Sequence, residues 1–357
     1  MNNIDKYLKH LGKSRVKLSD ASEDEILKLV QKIFPENLIK TENLTVPAFV
    51  DDACVIDPNL IGDGNELVVT SDVLVEGADF LFEWMSSYDL GIKSLAVNLS
   101  DLAAMGAEPI GMTVVIGVNP DFSLSELESF IQGLCEQAIK YKVLLLGGDL
   151  SASEKFFVNI TLLGRVPKGK TLRRDNAQED DVIAVTGYPG EARAGFEIVS
   201  KNVHNVRKEE RILTSRFLRP EPRLDVGYIL RDSGAIRGCI DLSDGLARDL
   251  SRLAKTNGLK AQIYAELLPV SSILKNFWVS RNKDYIEMIC RGGEDFELLF
   301  SVTPENFDLV KQKVESFTGI AITRIGEWTA GNGVIISKAD SSELDISNLG
   351  FDHFKKE

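Results

Sequence analysis

The sequence predicts two α+β domains, each with helices packed on one face of a mainly antiparallel sheet. Its 357 residues exceed the usual size of one domain, about 150 residues. Helical and strand-like patterns are mixed along the chain, but neither half alternates strand and helix as a parallel α/β fold would. Charge rises and apolar content falls over residues 166–181, which indicates a domain junction. We therefore predict an N-terminal arm at 1–21, one domain at 22–167 and a second at 168–357.

The first half begins with a polar, basic stretch that lacks periodicity, so residues 1–21 are expected to be poorly ordered. Ser22 and Glu25 have the S-x-x-E spacing of a capping box, which predicts a helix that runs to about Phe34. Apolar residues at helical spacing predict two more helices, and β-like runs predict four strands. The helices are placed at 89–105 and 123–142, and the strands at 49–57, 66–75, 143–149 and 156–166.

The second half begins with the strand DVIAVTG and a helix from about Glu191. Another helix is predicted at 223–232, followed by the strand IRGCIDLSDG and a helix at 244–254. A strand around AQIYAEL and a Gly-Gly-Glu-Asp turn that leads into the strand FELLFSV complete the mixed pattern.

Composition and charge exclude several classes of protein. The net charge of −13 and the pI near 4.9 argue against binding to nucleic acid or to an anionic membrane. No apolar stretch is long enough to span a bilayer, and the N-terminus lacks the apolar core of a signal peptide. The four cysteines form no CxxC pair, so neither a zinc site nor a disulfide framework is predicted. We expect a cytoplasmic protein.

Aspartates interrupt or follow the predicted apolar segments. A carboxylate buried at such a place destabilises the fold unless it meets a cation, a hydrogen-bond donor or water. Magnesium is the cation that fits, because it prefers oxygen ligands and bridges carboxylates to substrate phosphates. For any single aspartate, a helix cap or a turn is the simpler explanation. The number of such residues favours a metal site. They are Asp51, Asp52, Asp72, Asp101, Asp149, Asp241 and Asp244.

Several neighbouring residues could add to such a site. Thr70 and Ser71 place hydroxyls beside Asp72, and Gly147-Gly148 would let backbone amides approach a phosphate or simply form a tight turn. Ser94, Asn98 and Asp101 form a polar stripe on a largely apolar helix, and such groups need partners. Arg173 and Arg174 could clamp a phosphate or lie in a solvated loop.

The chain has only three histidines, which offers few residues for a Ser-His-Asp or Cys-His mechanism. It also has no Walker A sequence and no strand-linked GxGxxG sequence for binding a nucleotide. Phosphoryl transfer with magnesium needs none of these groups.

The motifs VTSDVLVEG, KSLAVNLSDLAAMGAEP, LLGGD, IDLSDGLARDL and GGEDFELLF, in this order, resemble the thiamine-monophosphate kinase family, within the aminoimidazole ribonucleotide synthetase superfamily. The resemblance implies that superfamily's two-domain architecture and a homodimer formed through the N-terminal sheet. It also implies direct transfer of the ATP γ-phosphate onto thiamine monophosphate, the last step of thiamine diphosphate biosynthesis, without a phosphoenzyme or side-chain nucleophile.

The resemblance also assigns roles to residues of this chain. The ligands of several Mg²⁺ ions would be Asp52, Thr70, Ser71, Asp72, Asp101, Asp149, Asp241 and Asp244. Contacts to ATP would come from Gly148, Asp149, Arg174 and Ser243, and contacts to the thiamine substrate from Asp79, Glu294 and Phe351. The chain departs from the family at Val50, where glycine is usual, at Asp79, which is often histidine, and at Ile131, which is tyrosine in some members.

Two alternatives to this function stay open at the level of sequence. One is another ATP-using enzyme of the superfamily, similar to aminoimidazole ribonucleotide synthetase. The other is a non-catalytic acidic module that binds metal, although the DxDxDG loop of a calcium module is absent from the sequence.

Overall fold

The computed structural model describes residues 16–49, 53–201, 207–347 and 349–350. They form two compact units. The first comprises residues up to Leu99 and Pro109–Arg165, and the second comprises Ser100–Glu108 and the chain from Val166 onward. The units divide after Arg165, where the sequence predicts a junction after residue 167. The segment 100–108 belongs to the second unit, which the sequence did not indicate.

The segment 100–108 is part of the second unit because its backbone contacts that unit. The amide of Leu172 donates to the carbonyl of Met105 at 3.1 Å, and Arg231 donates to the carbonyl of Gly106 at 2.9 Å.

The first unit is built on a four-stranded sheet with the strand order β3-β6-β4-β5, and β1 and β2 form a separate antiparallel pair. Strands β4 and β5 are parallel. The predicted capping box is confirmed, because the backbone amide of Ser22 donates to Glu25 at 3.0 Å at the start of α1. The elements are β1 (Leu44–Val46), β2 (Val55–Ile56), β3 (Asn65–Val75), β4 (Glu108–Val118), β5 (Leu144–Ala152), β6 (Phe157–Pro167), α1 (Glu23–Ile33), α2 (Glu36–Ile39), α3 (Ser87–Ala104) and α4 (Leu124–Tyr141).

The prediction of a poorly ordered arm is wrong for residues 16–21. Val16 and Leu18 are buried, and the amide of Leu18 donates to the carbonyl of Phe122 at 2.9 Å. These apolar side chains and backbone bonds make the segment part of the first unit. Residues 1–15 lie outside the described residues.

The second unit is built on a seven-stranded sheet with the order β13-β12-β9-β11-β7-β10-β8. All neighbouring strands are antiparallel except β9 and β12, and the predicted α+β class is confirmed. The strands are β7 (Val182–Thr186), β8 (Ile236–Asp241), β9 (Leu259–Tyr264), β10 (Leu298–Val302), β11 (Ile322–Ala330), β12 (Gly333–Ser337) and β13 (Glu343–Asp345). The helices are α5 (Glu191–Ser200), α6 (Arg211–Leu218), α7 (Leu224–Ser233), α8 (Leu246–Asn257), α9 (Ser272–Val279), α10 (Tyr285–Arg291) and α11 (Phe307–Thr318).

The core of the second unit is apolar and contains two fully buried tryptophans, Trp278 and Trp328. The indole of Trp328 donates to the hydroxyl of Ser301 at 2.6 Å, so its polar atom is satisfied in the core. No helix in the described part of the chain has the length and apolar character needed to cross a membrane.

Candidate functional site

Strand β3 separates the predicted ligands Thr70 and Asp72 from Ser71. Side chains alternate along a strand, so the first two lie on one side of β3 and Ser71 lies on the other. The Ser71 hydroxyl is 3.1 Å from the hydroxyl of Thr161 and accepts from the amide nitrogen of Asn159 at 3.0 Å. An ion held by the Asp72 side chain could therefore use only the backbone of Ser71.

The polar stripe on α3 has structural partners. The Ser94 hydroxyl donates to the carbonyl of Leu90 at 2.7 Å, within the helix. Asn98 is fully buried, and its side-chain oxygen accepts from the backbone amide of Asp72 at 3.1 Å. Asn98 thus holds β3 at Asp72, a role that the polar stripe in the sequence did not indicate.

The sheet order keeps two predicted metal ligands apart. Asp72 lies on β3 and Asp149 on β5, the two opposite edges of the four-stranded sheet. Three strand spacings separate these edges, roughly 14 Å. One chain therefore does not bring the two carboxylates to a common ion through this sheet. Asp52 and Val50 lie outside the described residues.

A pocket opens in the first unit beside the Gly147-Gly148-Asp149 segment of β5. Its other lining is apolar and comes mainly from α1, α4, β4 and the start of β5: Ile26, Leu27, Val30, Phe34, Phe49, Val114, Ile116, Leu127, Ile131, Leu134, Leu145 and Leu150. A Cβ atom on Gly148 would lie 2.0 Å from the carbonyl oxygen of Val114, so only glycine fits there. Ile131, one of the departures from the family pattern, faces this pocket.

The ends of α3 and β8 meet in the second unit. Asp241 is the last residue of β8 and is buried, and its carboxylate accepts from the hydroxyl of Ser100 at 2.8 Å. Ser100 directly precedes Asp101 on α3. The predicted ligands Asp101 and Asp241 are therefore carried by segments that are joined through a hydrogen bond.

Asp244 is held by arginines of the helix that follows it. It forms ion pairs with Arg252 and, at 3.5 Å, with Arg248. Arg252 also donates to Asp249 at 2.7 Å, and burial raises the pKa of Asp249 to about 6. A cation bound by Asp244 would compete with these guanidinium groups.

The Gly-Gly-Glu-Asp turn packs against the segment that contains Ser243. The amide of Glu294 donates to the carbonyl of Ser243 at 2.7 Å. Gly245 has a φ of +107°, and a Cβ atom there would lie 2.2 Å from the carbonyl oxygen of Gly292. The predicted contact to ATP, Ser243, and the predicted contact to the thiamine substrate, Glu294, are thus adjacent in the second unit.

The remaining predicted residues have different surroundings. The side chain of Arg174 is exposed, whereas Arg173 forms two hydrogen bonds to Asp175, at 2.8 and 2.6 Å. The carboxylate of Asp79 accepts from the amide of Val75 at 2.8 Å and closes the turn after β3. Phe351 lies outside the described residues.

Comparison with known proteins identifies the family. Residues 50–166 match the family described as AIR synthase related protein, N-terminal domain, and residues 178–338 match AIR synthase related protein, C-terminal domain. Thiamine-monophosphate kinase from Bacillus subtilis is 33% identical over 300 residues, covering 82% of this chain and 89% of that protein. The chain belongs to the thiamine-monophosphate kinase family.

Solved structures of thiamine-monophosphate kinases share this fold. The crystal structure of the enzyme from Stenotrophomonas maltophilia is 32% identical, has a TM-score of 0.77 and covers 88% of this chain and 96% of that one. AaThiL complexed with AMPPCP and TMP is 28% identical, with a TM-score of 0.73 and coverage of 95% and 99%. The resemblance found in the sequence is confirmed.

The predicted ligands of a thiamine-monophosphate kinase fit magnesium by their chemistry. All are hydroxyl or carboxylate oxygens, which Mg²⁺ prefers. Within the described ranges, no three histidine, cysteine, aspartate or glutamate side chains are grouped to hold one ion. Magnesium often takes only one or two carboxylates and completes its shell with water and substrate phosphates, so larger clusters are not required.

Proposed function

We propose that this chain transfers the γ-phosphate of ATP to thiamine monophosphate and releases thiamine diphosphate and ADP. The observation that carries this proposal is the apolar pocket beside Gly148 and Asp149. A nucleobase packs against apolar side chains, and glycine backbone amides can approach phosphates closely. The identity to thiamine-monophosphate kinases over most of the chain supplies the acceptor.

We propose that the chain uses several Mg²⁺ ions. When bound, magnesium neutralises phosphate charge during transfer. The carboxylates of Asp72, Asp101, Asp149, Asp241 and Asp244 would hold it, together with Asp52, the hydroxyl of Thr70 and the backbone of Ser71. The acceptor phosphate is already ionised near neutral pH, so no general base or side-chain nucleophile is needed. Transfer is then direct between the two substrates.

The remaining residues would position the substrates. Gly148, Asp149, Arg174 and Ser243 would contact ATP, and Glu294, Asp79 and Phe351 would contact the thiamine substrate. The backbone bond between Glu294 and Ser243 supports this assignment, because it joins the segments that carry the two sets.

We further propose a homodimer that forms through the sheet of the first unit. Leu67, Val69 and Val73 are about half exposed and alternate along β3 on the same side as Ser71. The distance between Asp72 and Asp149 within one sheet also favours a second copy, because two chains can bring these acids together where one does not.

We also propose a cytoplasmic location. The cysteines at 54, 135, 239 and 290 are free thiols, which supports it.

The activity is tested by incubating the protein with ATP, Mg²⁺ and thiamine monophosphate and separating the products. We expect metal-dependent formation of thiamine diphosphate and ADP in equal amounts, and none of either in EDTA. Asp72→Asn should lower turnover at least about a hundredfold, because it removes a charge that holds metal. Asp121→Asn is the matched control, since Asp121 is exposed and pairs with Lys17.

The outcomes separate the candidate functions. Formation of ADP without thiamine diphosphate would mean that the acceptor is wrong and would favour another ATP-using enzyme of the superfamily. Normal turnover of Asp72→Asn would contradict the metal assignment. An absence of ATP consumption would favour a non-catalytic metal-binding module.

The dimer is tested by complementation between two inactive variants. Asp72→Asn and Asp149→Asn are co-expressed with different tags, and the heterodimer is purified through both tags. If each site takes Asp72 from one copy and Asp149 from the other, one of two sites is intact and about half of the wild-type turnover returns. An inactive heterodimer would mean that both acids act within one chain, and a monomeric wild type would contradict the dimer.

A further inference from the structure

The second acid of the Gly-Gly-Glu-Asp turn has contacts of its own. The carboxyl group of Asp295 accepts from the backbone amide of Gly190 at 2.7 Å and from that of Ala192 at 3.1 Å. These amides lie at the start of α5, about a hundred residues away in sequence. Asp295 therefore joins the turn to another segment of the second unit through two hydrogen bonds.

The backbone on both sides of Asp295 has an unusual conformation. Glu294 has a φ of +65° and Phe296 a φ of +50°, values that residues other than glycine rarely adopt. Such a conformation persists only where surrounding contacts restrain it. On one side, the amides of Glu294 and Phe296 donate to the carbonyls of Ser243 and Leu242 at 2.7 and 2.9 Å. Asp295 supplies the restraint on the other side.

We propose that Asp295 is a positioning residue for the thiamine substrate, which acts by holding the backbone of Glu294 in its left-handed conformation. This rests on the proposed function, in which Glu294 contacts that substrate. The direction in which the Glu294 side chain leaves the turn is set by its backbone, so a turn that is released from α5 would present Glu294 in several directions. The proposed ATP contacts at Gly148 and Asp149 would not depend on this restraint, whereas Ser243, whose carbonyl accepts from the amide of Glu294, adjoins the turn.

The variant Asp295→Asn tests the restraint at constant size. The asparagine amide group replaces one acceptor oxygen by a donor, which cannot accept from a backbone N–H. We expect the KM for thiamine monophosphate to rise about tenfold, as for one lost hydrogen bond, and the KM for ATP to change less, because Ser243 is the proposed ATP contact that adjoins the turn. The matched control is Asp284→Asn, because Asp284 also accepts from a backbone amide, that of Ile286 at 2.9 Å, at the start of α10.

A double-mutant cycle separates positioning from general loosening. Glu294→Ala should raise the KM for thiamine monophosphate, and adding Asp295→Asn to it should cause no further rise, because Asp295 acts through the side chain already removed. If the two effects multiply, or if Asp295→Asn alone leaves this KM unchanged, the positioning role is overturned while the kinase function stands. An unchanged KM in Glu294→Ala would instead contradict the role of Glu294 within the proposed function.

Amide exchange in the wild type provides a second test that does not depend on the variant folding. Thiamine monophosphate that contacts Glu294 should stabilise the turn, so exchange at Gly190 and Ala192 should slow when it binds. Exchange at Ile286, the control amide, should not change. Equal exchange at Gly190 and Ala192 with and without thiamine monophosphate, in a sample that converts it with ATP, would overturn the proposal.

Discussion

The buried ion pair between Arg223 and Glu297 gives a prediction about stability that does not depend on the function. Two hydrogen bonds join the side chains, at 2.7 and 2.6 Å, and both side chains are only 7% exposed. Glu297 also accepts from Thr186, whose hydroxyl accepts from the amide of Leu298 at 2.8 Å. The carboxylate therefore connects the start of β10 to the end of β7.

The variant Glu297→Gln removes the charge and leaves Arg223 as a buried cation. Glu221 also pairs with Arg223, at 3.7 Å, but its side chain is more than half exposed. Removing one partner of a buried ion pair costs about 3–5 kcal/mol. The glutamine side chain keeps one acceptor oxygen for Arg223, so we expect the free energy of unfolding to fall by about 3 kcal/mol. The double variant Glu297→Gln/Arg223→Met should recover part of this loss, because no buried charge is then left without its partner.

The assay is urea unfolding followed by tryptophan fluorescence. In a Trp84→Phe background, the remaining tryptophans of this three-tryptophan chain, Trp278 and Trp328, are both buried in the second unit. The control is Glu287→Gln, whose pair with Arg291 is 2.8 Å long but 45% and 49% exposed, so it should change the free energy of unfolding by about 0.5 kcal/mol or less. A loss below about 1 kcal/mol for Glu297→Gln, or one equal to the control, would refute the reasoning.

Three further predictions concern the pocket, the sheet and the pH dependence. Ile131→Asn puts an amide among apolar side chains and should raise the KM for ATP about fivefold or more, whereas Ile139→Asn, on the exposed side of the same helix, should leave it unchanged. Gly148→Ala places a methyl group 2.0 Å from the carbonyl oxygen of Val114. It should destabilise the first unit by about 1–3 kcal/mol, and an unchanged melting temperature would contradict the clash. Burial raises the pKa of Asp295 to about 8, above its unfolded value, so the folded state binds more protons between about pH 4 and 8. The free energy of unfolding should fall as pH rises through this window, and Asp295→Asn should flatten the profile by removing that contribution.

Local patterns predicted most of the elements and several residues of the candidate site. The capping box at Ser22 and the apolar stripes of α3 and α4 depend on neighbours within a few residues, and the structure has these helices within about two residues of the predicted bounds. The aspartates at the ends of apolar strands were found for the same reason. Asp241 does end a strand, and Asp149 does lie beside a pocket.

The sequence was least informative where partners lie far apart along the chain. Arg223 and Glu297 are 74 residues apart, and no local pattern joins them. Alternation along β3 could have separated Ser71 from Asp72, but the sheet order that separates Asp72 from Asp149 could not be read from either segment. The four-residue spacing of Arg248 and Arg252 on one face of α8, behind Asp244 at the start of that helix, was a usable signal for these ion pairs.

Strand β3 carries two kinds of side chain in alternate positions, polar Thr70 and Asp72 on one side and the exposed Leu67, Val69 and Val73 on the other. Deleting or inserting one residue within the strand, between Val69 and Asp72, would place this acid on the same side as the apolar residues that precede it. A change of two residues at that point would preserve the two sides. Variation in length within this strand is therefore constrained by parity, whereas the loop before it can absorb a change of any length.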